Sequence, residues 1–246
     1  MGQICFVSLF PEYFETAMRS SIIGRAVESG HIEWRFVQIR DFSLDKHRRV
    51  DDAPYGGGAG LVMKPDPLVA AIEHAKSFYQ KPHVVLMSPQ GARFHQGHAR
   101  RLSLYDAIVL VCGHYEGVDE RVRSFVDEEI SIGDFVLTGG ELAALVVSDA
   151  VCRLWQGVLG NDESSVDESF SQGWLEYPQY TRPPEFRGMK VPEILLSGDH
   201  GAVDRWRRCE SIRRTQERRP DIFESLEPTL TPKEKKWLGA DWDKIR

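Results

Sequence analysis

No apolar run in this 246-residue chain approaches the ~20 residues that a bilayer-spanning helix needs. Met1 to Phe10 also lack the basic region and long apolar stretch of a secretory leader. Cysteine is scarce: Cys5, Cys112, Cys152 and Cys209 are the four, none at metal-ligand spacing from another. Three of them lie in or beside apolar runs, the usual setting of a reduced, buried thiol. These absences point to a reducing compartment, so a cytoplasmic protein with no membrane partner is the expectation. Nor is there an excess of positive charge. The formal net charge of −6 argues against binding nucleic acid through overall charge and leaves only local basic patches for that purpose. No internal repeat or low-complexity tract is present. No G-x-G-x-x-G opens a helix after the first strand and no G-x-x-x-x-G-K-[ST] occurs, so neither a dinucleotide fold nor a P-loop is supported.

What is present is ordinary globular composition, enough for one large domain or a medium one plus a small one. The first half alternates short apolar segments with helical patterns. Ile4–Phe10 stops at Pro11, Ser21–Glu28 reads as a helix ended by Gly30, and Glu33–Ile39 alternates with period two. Asp66–Tyr79 carries Leu68, Ala71, Ile72 and Ala75 at helical spacing, after an Asp at a capping position. Three strand-to-loop junctions follow: His83–Met87 into Ser88–Gly91, Ala107–Cys112 into Gly113–Gly117, and Glu129–Leu137, broken by Gly133, into Thr138–Gly140. Helical patterns over Val118–Val126 and Glu141–Leu154 come after the second and third. Continuous apolar strands alternating with helices predict an α/β fold, a parallel sheet with helices on both faces.

The character changes near Gly160. Asn161–Ser171 is polar, acidic and serine-rich and reads as a mobile linker that orders when a substrate docks. Glu176–Pro192 reads as an irregular loop, and the text beyond Asp199 is helical and locally basic. The domain reading is therefore 1–160, a linker at 161–171, and a small helical C-terminal domain at 172–246.

Two features carry chemistry. Strands that end in glycine let a backbone approach a ligand closely, and ligands of parallel sheets bind at the carboxyl ends of strands. The three junctions suit an adenosine-like group held by backbone N–H and C=O groups. The glycine-dense stretch Asp51–Gly60 reads either as a flexible surface loop or as a loop leaving room for a bulky substrate. The second feature is basic: Arg207, Arg214 and Arg218 fall on one face of a helix, where a stripe can track a phosphate backbone. Arg182 and Arg187 in the preceding loop could extend it; a solvated face paired with Glu210 and Glu217 is the plainer reading.

These segments resemble the bacterial tRNA (guanine-N1)-methyltransferase family of the TrmD type. The matching text runs through Ser8–Pro11, Val50–Asp52 with Pro54–Gly58, Ser88–Gly91, Cys112–Arg121, Ser131–Leu142 and Tyr180–Pro183, in that order. The resemblance implies a trefoil knot in the sheet domain, a rare exception to the rule that chains do not thread loops. It also implies a homodimer with composite active sites, S-adenosylmethionine as methyl donor, and methylation of N1 of the guanine just 3′ of the anticodon in tRNA. A magnesium ion is a further family expectation, although no cluster in the sequence looks like a preformed metal site.

Residue by residue, the resemblance places the methyl donor against Leu86, Ser88, Pro89, Gln90 and Gly91; against Gly113, Tyr115 and Glu116; and against Ile132, Gly133, Asp134, Phe135, Val136, Leu137, Gly139 and Gly140. The RNA would meet Ser169, Arg182, Arg207, Arg214 and Arg218. The family's base is an aspartate before Ser-Phe; here Glu168 precedes Ser169–Phe170, with Asp167 before it. Glu168 is favoured, Asp167 stays open, and Arg153 matches an arginine that acts at the guanine O6. Gln179 stands where the family commonly has histidine, which removes any imidazole role there. Guanine N1 carries a proton, so the reaction needs a general base at N1 and a donor at O6. A ribose 2′-O-methyltransferase, a non-catalytic RNA-binding protein and an adenosine-nucleotide enzyme are the competing readings. The Asp-Asp-x-Pro-Tyr-Gly-Gly-Gly stretch is unexpected in the first, cofactor binding separates the second, and the arginine stripe has no place in the third.

Overall fold

The computed structural model describes residues 1–159 and 168–238. The chain divides into two compact units, Met1–Asp162 and Glu163–Arg246.

The first unit is built on five parallel strands in the order β2-β1-β6-β5-β7. These are β1 (Gly2–Ser8), β2 (Ile32–Gln38), β5 (His83–Arg93), β6 (Ala107–Cys112) and β7 (Glu128–Ser131). Two short strands, β3 (Asp51–Asp52) and β4 (Val62–Met63), pair antiparallel apart from it. The helices of this unit are α1 (Glu12–Met18), α2 (Ser21–Glu28), α3 (Pro65–Ser77), α4 (Gln96–Leu102) and α5 (Glu141–Cys152).

Alternation along each central strand feeds two separate cores. Ile4 and Phe6 of β1, Val85 and Met87 of β5, and Ile108 and Leu110 of β6 face one layer, with α5 residues Ala144, Val147 and Val151. Cys5, Val7, Val84, Leu86, Val109 and Val111 face the other, with Leu68, Ala71, Ile72 and Ala75 of α3. Burial on both faces explains why β6 is apolar at all six positions, as a covered parallel sheet requires. The predicted α/β class is observed.

Several expected boundaries differ. β5 does not stop at Met87: it runs to Arg93, with its pairing to β7 interrupted between Met87 and Ala92. Residues 88–91 therefore form an irregularity within a strand, not a loop after one. β7 ends at Ser131, six residues before the expected Leu137. The Ser131 hydroxyl donates to Gly133 O at 3.0 Å and accepts from Gly133 N at 3.2 Å, a local turn that competes with the ladder. The expected helix at Val118–Val126 is a 3-10 helix at Glu120–Phe125. It is opened by the Asp119 carboxylate accepting from the Arg121 backbone N–H. In α3 the cap position is Lys64, and Asp66 lies in the first turn, where its charge suits the helix dipole. Helices α1 and α4 were not expected. They are seven residues each, and short periodic stretches carry little signal.

The second unit holds α6 (His200–Arg218), α7 (Pro220–Leu226) and α8 (Pro232–Lys235), preceded by a small hairpin of β8 (Glu185–Phe186) and β9 (Met189–Lys190). That hairpin falls inside the stretch expected to be irregular. Trp174, Cys209, Ile212, Phe223, Leu230 and Trp237 form its core. All four cysteines are free and buried. Among the described residues, no helix is long and apolar enough to cross a membrane.

Candidate active site

Because the strands are parallel, the carboxyl ends of β5, β6 and β7 lie at one edge of the sheet, and their loops converge there. The loop after β6 turns through positive φ at Tyr115 (60°) and Gly117 (128°). The loop after β7 is tied to it: Gly140 N–H donates to Gly113 O at 2.8 Å, and His114 pairs with Gly139 as an isolated antiparallel bridge. Gly140 is at φ −79°, so its backbone needs no glycine. Space does: a Cβ there would stand 2.9 Å from Cys112 Cα and 3.1 Å from Met87 Cβ. A third segment joins them. Met63 N–H of β4 donates to Gly117 O, and Glu116 N–H donates to Leu61 O, which anchors the end of the glycine-dense stretch beside the same loop. Tyr55 in that stretch is fully exposed.

The ends of β5, β6 and β7 and the loops after them enclose a cleft of about 300 Å³. Its wall contains Leu86, Ser88, Pro89 and Gln90 from β5, then Gly113, Tyr115 and Glu116 from the second loop. The third loop contributes Ile132, Gly133, Phe135, Val136, Leu137, Gly139 and Gly140. Two expected residues do not line it. Gly91 backs onto β7, where a Cβ would meet Glu129 C at 2.4 Å, and Asp134 is exposed. Sequence reasoning missed Glu120, Arg123, Ile130 and Ala143, which also line the cleft. Ile130 and Ala143 belong to β7 and α5, beside the expected loop, and an i,i+3 acid–base pair was the only sign of Glu120 and Arg123.

The cleft wall mixes charged and polar side chains, Gln90, Glu116, Glu120 and Arg123 among them, with apolar Leu86 and Ile130, and Asp119 lies beside it. Hydrogen bonds from Arg121 hold the Asp119 carboxyl down to about 2, so it is ionised at neutral pH. Burial pushes the Cys112 thiol up, aided by the negative charge of Glu141, so it is no nucleophile. Glu141 is only 3% exposed at the start of α5, and its carboxylate accepts from the Ser8 hydroxyl at 2.7 Å. That bond ties the end of β1 to the loop that closes the cleft. Among the described residues no group of three His, Cys, Asp or Glu could hold a metal ion.

Of the expected catalytic residues, Arg153 is the C-cap of α5 and half-buried, outside the cleft wall. Asp167 lies outside the described residues. Glu168 belongs to the second unit, where it lines a groove with Trp174, Tyr177, Arg207 and Arg208. Ser169 Oγ accepts from the Glu176 backbone N–H at 3.0 Å. The arginine stripe lies on α6, which is capped by Asp199 accepting from Ala202 N–H. Arg207 is engaged, its guanidinium 5.0 Å from the Tyr177 ring and 3.5 Å from Asp204. Glu210 pairs with Arg213, and Arg208 pairs with Glu234. Arg214 and Arg218 have no ion-pair partner among the described residues, and Arg182 is exposed.

Comparison with known proteins agrees with this geometry. A family model described as tRNA (Guanine-1)-methyltransferase TrmD matches residues 2–225. A protein of Geobacillus kaustophilus named tRNA (guanine-N(1)-)-methyltransferase is 51% identical over 245 residues, covering 99% of each chain. Namesakes from Symbiobacterium thermophilum (54% over 241 residues, 96% of this chain and 97% of the relative) and Anaeromyxobacter sp. (58% over 226 residues, 91% and 92%) are similar throughout. With matches of this extent along the strands and loops that form the cleft, the chain belongs to the tRNA (guanine-1)-methyltransferase family of the TrmD type.

Proposed function

We propose that this chain transfers the methyl group of S-adenosylmethionine to N1 of the guanine immediately 3′ of the anticodon in tRNA. The observation that carries the reading is the glycine-walled cleft at the ends of β5, β6 and β7, in a chain of this family. The cleft suits the donor. Its volume is at the lower end of small-molecule sites, its wall mixes polar side chains with apolar Leu86 and Ile130, and at Gly140 only hydrogen leaves the wall intact. S-adenosylmethionine supplies a sulfonium methyl, an electrophile that needs no protein nucleophile.

The chain's own residues then have two tasks. Glu168, favoured over Asp167, accepts the proton from guanine N1 and frees the lone pair that attacks the methyl carbon. Arg153 stabilises the negative charge that accumulates on O6. Arg214 and Arg218, without an ion-pair partner among the described residues, extend with Arg182, Arg207 and Ser169 into a surface for the RNA backbone, supported by six arginines against three acidic residues on α6. The same reading gives the second unit the tRNA-binding role. It gives the first a trefoil knot, supported by the out-of-sequence strand order and the tie between the loops after β6 and β7. A cytoplasmic homodimer completes it, supported by the four free, buried cysteines and by the exposed apolar side chains Phe135, Val136, Leu142 and Val146.

Incubation of the protein with unmodified tRNA and labelled donor, followed by nucleoside digestion, tests the activity. The expected product is 1-methylguanosine; label on a ribose, or none, overturns the reading. Glu168→Gln is expected to abolish transfer with donor affinity within about twofold of the parent, since a difference below ~0.4 kcal/mol is all that implies. Retained activity would move the base to Asp167.

A further inference from the structure

The proposed methyl-donor cleft contains a clamp built on Arg123, a residue outside the expected site, around the expected Gln90. Arg123, in the 3-10 helix after Asp119, reaches two other segments at the rim, β5 and β7, and an acid of its own helix. Its Nη2 donates to Gln90 Oε1 at 2.8 Å, its Nη1 lies 2.8 Å from Glu129 Oε1 on β7, and its Nε stands 3.0 Å from Glu120 Oε2. Both Gln90 and Arg123 line the cleft. The chemistry of the pair fixes the orientation of an amide. A guanidinium has only donors, so it can be satisfied by the Gln90 oxygen and not by its nitrogen. The two N–H bonds of Gln90 are therefore turned away from Arg123, and they have no partner among the described residues.

The charges fit a cationic ligand. One guanidinium is answered by two carboxylates, so the clamp stiffens the rim without adding positive charge where a sulfonium must sit. Glu129 is the cost of the arrangement: it is only 18% exposed, and its second oxygen is buried without a hydrogen bond, so removing Arg123 would strand it.

We propose that Arg123 is a positioning residue for the methyl donor, holding the Gln90 amide so that its N–H₂ meets an acceptor atom of S-adenosylmethionine. The proposal rests on the donor binding in this cleft. Arg123 touches neither the transferred methyl nor the guanine, and acts through Gln90.

The test is a double-mutant cycle on the full-length protein, with Arg123→Met, Gln90→Leu and the pair together. Donor affinity is measured by calorimetry, and KM and kcat with tRNA. Each single variant is expected to lose about tenfold in donor affinity, the size of one lost hydrogen bond. The double variant is expected to lose no more than Gln90→Leu alone, with kcat at saturating donor held. Thermal unfolding checks the fold. If Arg123→Met is unstable, Arg123→Met with Glu129→Gln removes the stranded carboxylate and is expected to show the same affinity loss on a stable protein. Losses that add in the double variant, a fall in kcat without a change in donor affinity, or native affinity in Arg123→Met would each overturn the clamp. Failure of the parent protein to bind S-adenosylmethionine would instead sink the proposed function.

Discussion

Replacing Gly140 with alanine isolates sterics from backbone preference at the proposed donor cleft. At φ −79° and ψ −7° the residue sits in ordinary helical territory, so alanine adds no torsional strain. The added methyl would lie 2.9 Å from Cys112 Cα, 3.1 Å from Met87 Cβ and 3.2 Å from Gly113 N. None of these is the end of a flexible side chain, so the strand ends themselves must move. Overpacking of this kind costs about 1–3 kcal/mol. For a unit of this size a cost of about 2 kcal/mol lowers the melting temperature by roughly 4–8 °C. The same displacement stretches the 2.8 Å bond from Gly140 N–H to Gly113 O and moves two residues of the cleft wall. If the donor must restore one such bond, about 0.5–1.5 kcal/mol, its affinity falls roughly 2- to 12-fold. Gly30→Ala is the control: φ there is 75° with nothing within 4 Å, so it carries only the left-handed penalty of about 1–2 kcal/mol. The assay is thermal unfolding with and without S-adenosylmethionine, plus calorimetric titration. Both variants should melt lower, and only Gly140→Ala should bind the donor poorly. A Gly140→Ala protein with parental melting and donor affinity would refute the close-approach argument.

Three further outcomes are expected. Burial raises the Glu128 carboxyl, but hydrogen bonds from Arg101 and His83 outweigh it and leave the group below its ordinary 4.5. A depressed carboxyl contributes stability that is complete above 4.5 and lost as pH falls through the folded value, so Glu128→Gln should flatten the acid limb of stability against pH in denaturant titrations; an unchanged limb would count against it. Ser8→Ala strips the buried Glu141 carboxylate of its 2.7 Å hydroxyl donor and should cost about 1.5–3 kcal/mol, much less when Glu141→Gln is already present, as chemical denaturation of the four-protein cycle will show. Arg214→Ala should weaken tRNA binding and reduce the slope of log affinity against log salt by about 1, while an unaltered slope would mark the α6 stripe as plain surface.

Patterning alone reached the sheet, because strands covered on both faces must be apolar at every position, and β6 shows this at all six. It also reached α3 and α5, whose buried residues recur at helical spacing, and α2, where Ile23, Ala26 and Val27 pack on the core. The glycine-ended junctions pointed to the edge of the sheet where the cleft lies, since parallel strands place their carboxyl ends together whatever their order. Strand order itself was not legible: nothing local in β1 says that β6, about a hundred residues on, lies beside it. Nor could the text show that 88–91 is an irregularity inside β5, because that depends on β7 pairing on both sides of it.

The cleft residues divide the same way. Gly113, Gly133 and Gly140 advertise themselves as missing side chains, whereas Arg123 looks like any helical arginine paired with Glu120 until the fold brings Gln90 and Glu129 to it. On α6 helical spacing put Arg207, Arg214 and Arg218 on one face, but only the packed unit shows that Arg207 is engaged with Tyr177 and Asp204 while Arg214 and Arg218 have no ion-pair partner among the described residues. Periodicity is a property of one segment and survives in the sequence. Partnership between segments depends on burial and distance, and only the tertiary structure decides it.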